Sequence, residues 1–130
     1  MMTTLSDNPK LGHITTFGGH PVIAASALAT LKEIIQSDLI EKTLEKEKLI
    51  RKHLRHPKIK EIRGRGLMLA AITDSAEITS DIILKAKDQG LILFWLLFEP
   101  RAIRITPPLS ISNEEIIKGC DIITDILDTI

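Results

Sequence analysis

The stretch His13-Ile14-Thr15-Thr16-Phe17-Gly18-Gly19-His20-Pro21 constrains the fold most, because it dictates a turn and a helix start at one point of the chain. Gly18 and Gly19 permit a positive φ or a close approach of the backbone to a ligand. Pro21 suits the first position of a helix, since its φ is already helical and the N–H it lacks would have had no intrahelical acceptor. Val22 to Leu31 then read as a well-formed, mostly buried helix that runs on to about Gln36. Hydroxyls and glycines ahead of a helix start also favour an anion, because free N–H groups and the helix dipole both present positive charge there. Local physics leaves two readings open: a capped turn leading into a core helix, and a phosphate site built on Thr15 and Thr16.

The rest of the chain divides by its punctuation. Residues 1–12 are polar, with Asn8-Pro9 and Gly12, and read as an arm. Ser37 or Asp38 can cap a second helix running through Arg55, with Glu41, Lys42, Glu45, Lys46 and Lys48 on a solvated face. His56-Pro57 ends it. Lys58–Ile62 and Leu67–Ile72 read as strands joined at Arg63-Gly64-Arg65-Gly66. Ile78, Ile82 and Ala86 repeat at helical spacing, and Gly90 supplies the stop. Leu91 to Phe98 is an unbroken apolar run, which predicts a strand covered on both faces, within this chain or by a missing partner domain. Ala102 to Thr106 forms a short fourth strand before Pro107-Pro108. Ser112-x-x-Glu115 is a capping box opening a last helix with the seam Ile116, Cys120, Ile123, Leu127 and Ile130. The order ααββαββα lacks regular βαβ alternation, so the expected class is α+β, helices packed on a small, mostly antiparallel sheet.

Composition narrows the function classes. Lys+Arg and Asp+Glu balance at 17 each, so no global field points to nucleic acid or an anionic membrane. A single cysteine excludes an intrachain disulfide and fits a reducing, cytoplasmic setting. No apolar run reaches membrane-spanning length, and the polar N-terminus carries no secretory h-region.

Few residues have the chemistry of a site. Arg104 lies in a short apolar strand, where an unpaired guanidinium is costly, so it is expected to meet an anion, either a structural carboxylate or a ligand's. Arg101 beside it is expected to be exposed. Arg63-Gly64-Arg65-Gly66 reads as a hairpin turn rather than an RNA-binding patch, because it is one short copy without interleaved aromatics. His53-x-x-His56 has no acidic or thiol partner at metal-ligand spacing, so no metal is expected. Cys120 sits on the apolar seam of the last helix and reads as packing.

Three blocks in order resemble the class III pyridoxal-phosphate aminotransferases, the group of acetylornithine, ornithine and 4-aminobutyrate aminotransferases. They are Thr15-Thr16-Phe17-Gly18-Gly19-His20-Pro21, Ile62-Arg63-Gly64-Arg65-Gly66-Leu67-Met68-Leu69, and Ile103-Arg104-Ile105-Thr106-Pro107-Pro108-Leu109 followed by Glu114-Glu115-Ile116. His20 stands where many members have asparagine; both can hydrogen-bond. The likeness runs from about Leu11 to the end, and it is to the C-terminal part of such an enzyme.

The resemblance implies the small C-terminal domain of a fold-type-I aminotransferase. Residues 1–20 would be an N-terminal arm and interface phosphate loop, and residues 21–130 the small domain itself. The parent would move an amino group from an amine or amino acid to a 2-oxo acid. Thr16, with Thr15 beside it, would contact the phosphate of pyridoxal 5'-phosphate held by the other subunit of a homodimer, without a covalent bond. Arg104 would bind a substrate carboxylate. No catalytic residue is expected in this chain, because the Schiff-base lysine and the acid facing the pyridinium nitrogen belong to the large domain. Lys10 lies too close to the first block to be that lysine. The chain alone is therefore expected to be inactive, its partners being the large domain, a second subunit and a small amino-acid or 2-oxo-acid substrate. The alternative is a free-standing, non-catalytic dimerisation or interaction module derived from such an enzyme, with Leu91–Phe98 contributing the contact surface. A glutamate-semialdehyde-type aminomutase shares the scaffold and is the weaker enzyme alternative.

Overall fold

The computed structural model describes residues 15–130. The chain falls into two compact units, one ending at Asp38 and the other spanning Leu39–Ile130. The arm and Lys10 lie outside the described residues.

The first unit holds one helix, α1 (Pro21–Gln36). It starts and ends where the sequence predicts, with Pro21 in the first turn. The expectation that it is mostly buried does not hold. None of its residues is buried, and Val22, Ile23, Leu28, Leu31 and Ile35 are all exposed. Its alanines supply helix propensity, so the helix needs no apolar partner to be locally favoured.

The second unit contains α2 (Thr43–His53), β1 (Ile59–Arg65), β2 (Met68–Thr73), α3 (Ala76–Asp88), β3 (Phe94–Leu96), β4 (Glu99–Ile105) and α4 (Asn113–Thr129). The sheet order is β1-β2-β4-β3, with every neighbouring pair antiparallel. This is the α+β class expected from the element order. α2 begins at Thr43, not at Ser37 or Asp38; residues 37–42 form turns instead. Thr43 secures that start by donating its hydroxyl to the Ile40 carbonyl.

Register sorts the strand residues into two faces, because directly opposed residues point the same way. One row runs Ile62–Ala71–Ile103–Trp95, and the next runs Gly64–Leu69–Ile105. These rows face the helices. Leu69, Ala71 and Ile103 join Ile82, Ile83, Ala86, Ile116, Cys120, Ile123, Ile126 and Leu127 in one core. The opposite, open face carries the rows Glu61–Ile72–Ala102 and Arg63–Ala70–Arg104–Phe94. α4 seals the core: Ser112 accepts from the Glu115 N–H while the Glu115 carboxylate accepts from the Ser112 N–H, the predicted capping box. Ile116, Cys120, Ile123 and Leu127 of the predicted seam are buried, and Ile130 packs against them half-buried.

The run Leu91–Phe98 departs from its expectation. Only Phe94–Leu96 is strand, it lies at the sheet edge, and Leu97 and Phe98 are 91% and 97% exposed. Leu91 and Leu93 alone of this run pack against the core. Within this chain the run is therefore a half-buried segment, strand only at Phe94–Leu96, ending in an exposed apolar hairpin tip, so its cover does not come from these residues.

Candidate functional site

The glycine-rich turn comes first in the chain. The Thr15 carbonyl accepts from the Gly18 N–H at 3.4 Å, and the Phe17 carbonyl accepts from the His20 N–H at 3.1 Å. Gly19 takes φ +76°, a left-handed conformation that L side chains rarely adopt. A Cβ on Gly18 would meet the Thr15 hydroxyl, which would have to rotate away. Thr15 and Thr16 are exposed, and the His20 side chain makes no capping hydrogen bond to the first turn of α1. The turn therefore presents hydroxyls next to a helix start whose first N–H groups are not capped by a side chain.

The second block is held from behind. Glu47 on α2 accepts from the Gly66 N–H at 2.6 Å and from Arg51 Nε at 2.8 Å. Arg51 in turn donates to the carbonyls of Ile62 and Gly64. The Gly66 amide, with Arg51, holds the Glu47 carboxyl below the usual glutamate range. Gly64 and Gly66 both have positive φ, and a Cβ on Gly64 would collide with the Met68 carbonyl oxygen. The block is thus a buttressed hairpin end, but the expected turn is shorter than its sequence predicts: Arg63, Gly64 and Arg65 belong to β1, and only Gly66-Leu67 turn the chain. Sequence reading missed Glu47 and Arg51, which sat inside an ordinary charged helix face.

The third block places Arg104 on the open face of the sheet. It is exposed rather than enclosed in an apolar strand, which corrects the reason given for its needing an anion. Its Cζ lies over the Phe94 ring, 5.1 Å from the centroid. Among the described residues it makes no ion pair. Its neighbours differ. Arg101 grips Glu99 with Nε and Nη2, each at 3.0 Å, and Arg63 pairs with Glu61 through the same two nitrogens. Those bonds hold both glutamates below their usual range and raise both arginines. Arg101 is exposed, as expected.

Arg104, Phe94, Leu93, Pro107 and Glu115 also line a cavity of about 460 Å³, whose walls include the buried Ile116, Cys120 and Ile123. Burial pushes the Cys120 thiol up to about 11, so it is no nucleophile at neutral pH. Among the described residues no cluster of three or more histidines, cysteines or carboxylates could hold a metal ion. His56 meets Asp128 at 3.2 Å and receives the Lys58 N–H at Nδ1, which explains one of the two histidines structurally.

The Aminotransferase class-III family pattern matches residues 2–127. The chain belongs to the class III aminotransferases. It is 36% identical over 123 residues to acetylornithine aminotransferase of Caldanaerobacter subterraneus, covering 91% of this chain and 30% of that protein. It is 35% identical to the mitochondrial ornithine aminotransferase of Arabidopsis thaliana, covering 89% of this chain and 26% of that protein. Among solved structures, ornithine aminotransferase of Toxoplasma gondii matches with a TM-score of 0.76 at 33% identity, over 90% of this chain and 29% of that one. An aminotransferase of Bacillus anthracis matches at TM-score 0.80 and 27% identity, over 92% and 30% respectively. The chain thus spans about 30% of the length of the relatives it matches.

Class III aminotransferases use pyridoxal phosphate. The residues here fit one edge of that group. The exposed hydroxyls of Thr15 and Thr16, the left-handed Gly19 and a helix start without a side-chain cap would suit a phosphate. The lysines that are organised serve structure instead. Lys46 donates to the Leu109 carbonyl, Lys58 to the carbonyls of Leu127 and Ile130, and Lys60 pairs with Asp74.

Proposed function

We propose that this chain is the C-terminal part of a pyridoxal-phosphate-dependent aminotransferase that moves an amino group from an amine or amino acid to a 2-oxo acid. Residues 1–20 serve as the arm and interface phosphate loop, and residues 21–130 as the small domain. The observation that carries this reading is the state of Arg104. Inside the block Ile103-Arg104-Ile105-Thr106-Pro107-Pro108, its fork is unspent while Arg63 and Arg101 on either side are each closed by a glutamate. An arginine fork matches a carboxylate bidentately, so Arg104 receives the carboxylate of the amino donor or the 2-oxo acid.

When bound, the cofactor supplies the electron sink that amino transfer needs. Thr16, with Thr15 beside it, donates to the phosphate across the interface of a homodimer in the cytoplasm. Arg104 orients the substrate by its carboxylate. The proton-shuttling lysine lies outside the chain, and the chain alone is inactive. Incubation with pyridoxal phosphate, borohydride reduction and peptide mapping test this. The expected result is scattered, substoichiometric labelling without turnover. A stoichiometric adduct at one lysine, with transaminase activity, overturns it.

The second reading, a free-standing non-catalytic interaction module, is favoured by one observation: the exposed Phe94, Trp95, Leu97 and Phe98 at the sheet edge. Sedimentation of the chain across a range of concentrations separates the two. Tight self-association, with Arg104→Ala indifferent to carboxylates, supports the module.

A further inference from the structure

The open face contains a row of four residues directly opposed across the sheet: Arg63, Ala70, Arg104 and Phe94. Ala70 is too short to hold its neighbour. Two positions before and after Arg104 along β4 stand Ala102 and Thr106, where Arg63 and Arg101 have Glu61 and Glu99 two positions earlier. What remains for Arg104 is the Phe94 ring on the edge strand, and Cζ lies over it.

A glutamate restrains an arginine by consuming its donors, as Glu99 consumes Nε and Nη2 of Arg101. A ring restrains it through the cation's charge and flat face and leaves the N–H fork available. We propose that Phe94 is a positioning residue for Arg104, holding the guanidinium in place before a carboxylate arrives. This rests on the reading of Arg104 as the carboxylate receptor. The physical gain is preorganisation: a flexible side chain that is already held loses less freedom when it grips its ligand. An anionic partner at the same place would compete with the ligand, whereas the ring does not.

The test uses the whole chain labelled with nitrogen-15, pyruvate as the 2-oxo-acid probe, and the Arg104 Nε–Hε signal as the readout. In the wild type this signal shifts saturably with pyruvate. Phe94→Leu raises the dissociation constant roughly two- to fivefold, the range of an exposed ring–cation contact, and increases Nε–Hε mobility. Phe94→Tyr restores both. If Phe94→Leu leaves affinity and mobility unchanged, the positioning role is overturned. Arg104→Lys, followed by the methyl proton signal of pyruvate itself, addresses the other reading: pyruvate binding equal to wild type removes Arg104 as the receptor. The Nε–Hε mobility of Phe94→Leu still decides whether the ring holds the guanidinium. A wild-type signal indifferent to pyruvate overturns the receptor reading, and unchanged mobility in Phe94→Leu overturns the positioning role.

Discussion

The two units of this chain solve the problem of burial in opposite ways. Leu39–Ile130 closes its own core, with Ile82, Ile103 and Leu127 fully enclosed and all three helices on one side of a four-stranded sheet. The segment ending at Asp38 offers a well-formed helix with no buried residue, although α1 is more apolar than α2, α3 or α4. Helix formation and burial are separable: α1 follows from alanine propensity and a proline start, while the second unit is held by tertiary packing. Stability should therefore be concentrated in the second unit.

The comparison breaks most visibly at Leu127. Leu127→Ala deletes a fully buried side chain and should cost about 2–5 kcal/mol in urea unfolding. Gly64→Ala should cost at least about 2 kcal/mol, from positive φ and from collision with the Met68 carbonyl. Gly90→Ala, with φ +80° but open space around it, should cost only about 1 kcal/mol. The difference between the two glycines isolates the collision from the strain.

A pH series sharpens the picture at the hairpin corner. Glu47 has its folded pKa depressed by the Gly66 amide and Arg51. Its contribution is complete above the ordinary glutamate value and is lost as pH falls through the lower folded value. Glu47→Gln should flatten that part of the acid limb of the stability profile and leave the neutral-to-alkaline slope unchanged. The smallest effect belongs to α1. Leu28→Ala should change the unfolding free energy of the second unit by less than about 0.5 kcal/mol. A loss comparable to that of Leu127→Ala would mean that α1 is packed as tightly as the core.

Much of this fold was legible in the chain. Ser112 and Glu115 announced α4 through a cap that forms as predicted, and Pro21 and Gly90 marked a helix start and a helix stop correctly. The failures have one cause. Apolar content was read as burial at α1 and at Leu91–Phe98, yet transfer free energy rewards burial only where a partner surface exists. The site was half legible. Its block singles out Arg104, but the reason given for an anion there, enclosure among apolar residues, does not hold, since Arg104 is exposed. The better signal was local: Glu-x-Arg at Glu61 and Glu99 against Ala-x-Arg at Ala102, a spacing that puts both side chains on one face of a strand. Glu47 and Arg51 stand at i,i+4 spacing, but their role at the hairpin was not legible, because the partners that give it are backbone groups 11 to 19 residues away.

Trp95 sits beside Phe94 on the edge strand, and its indole N–H donates to the Ser80 hydroxyl on α3 at 3.1 Å. The chain has no tyrosine and one tryptophan, so its intrinsic emission comes from that junction. Fluorescence of this protein is a local optical gauge of the strand that carries the Arg104 platform. Heating that frays the edge before the core melts would shift the emission ahead of the far-ultraviolet dichroism, and the gap between the two curves would measure how independently that edge moves.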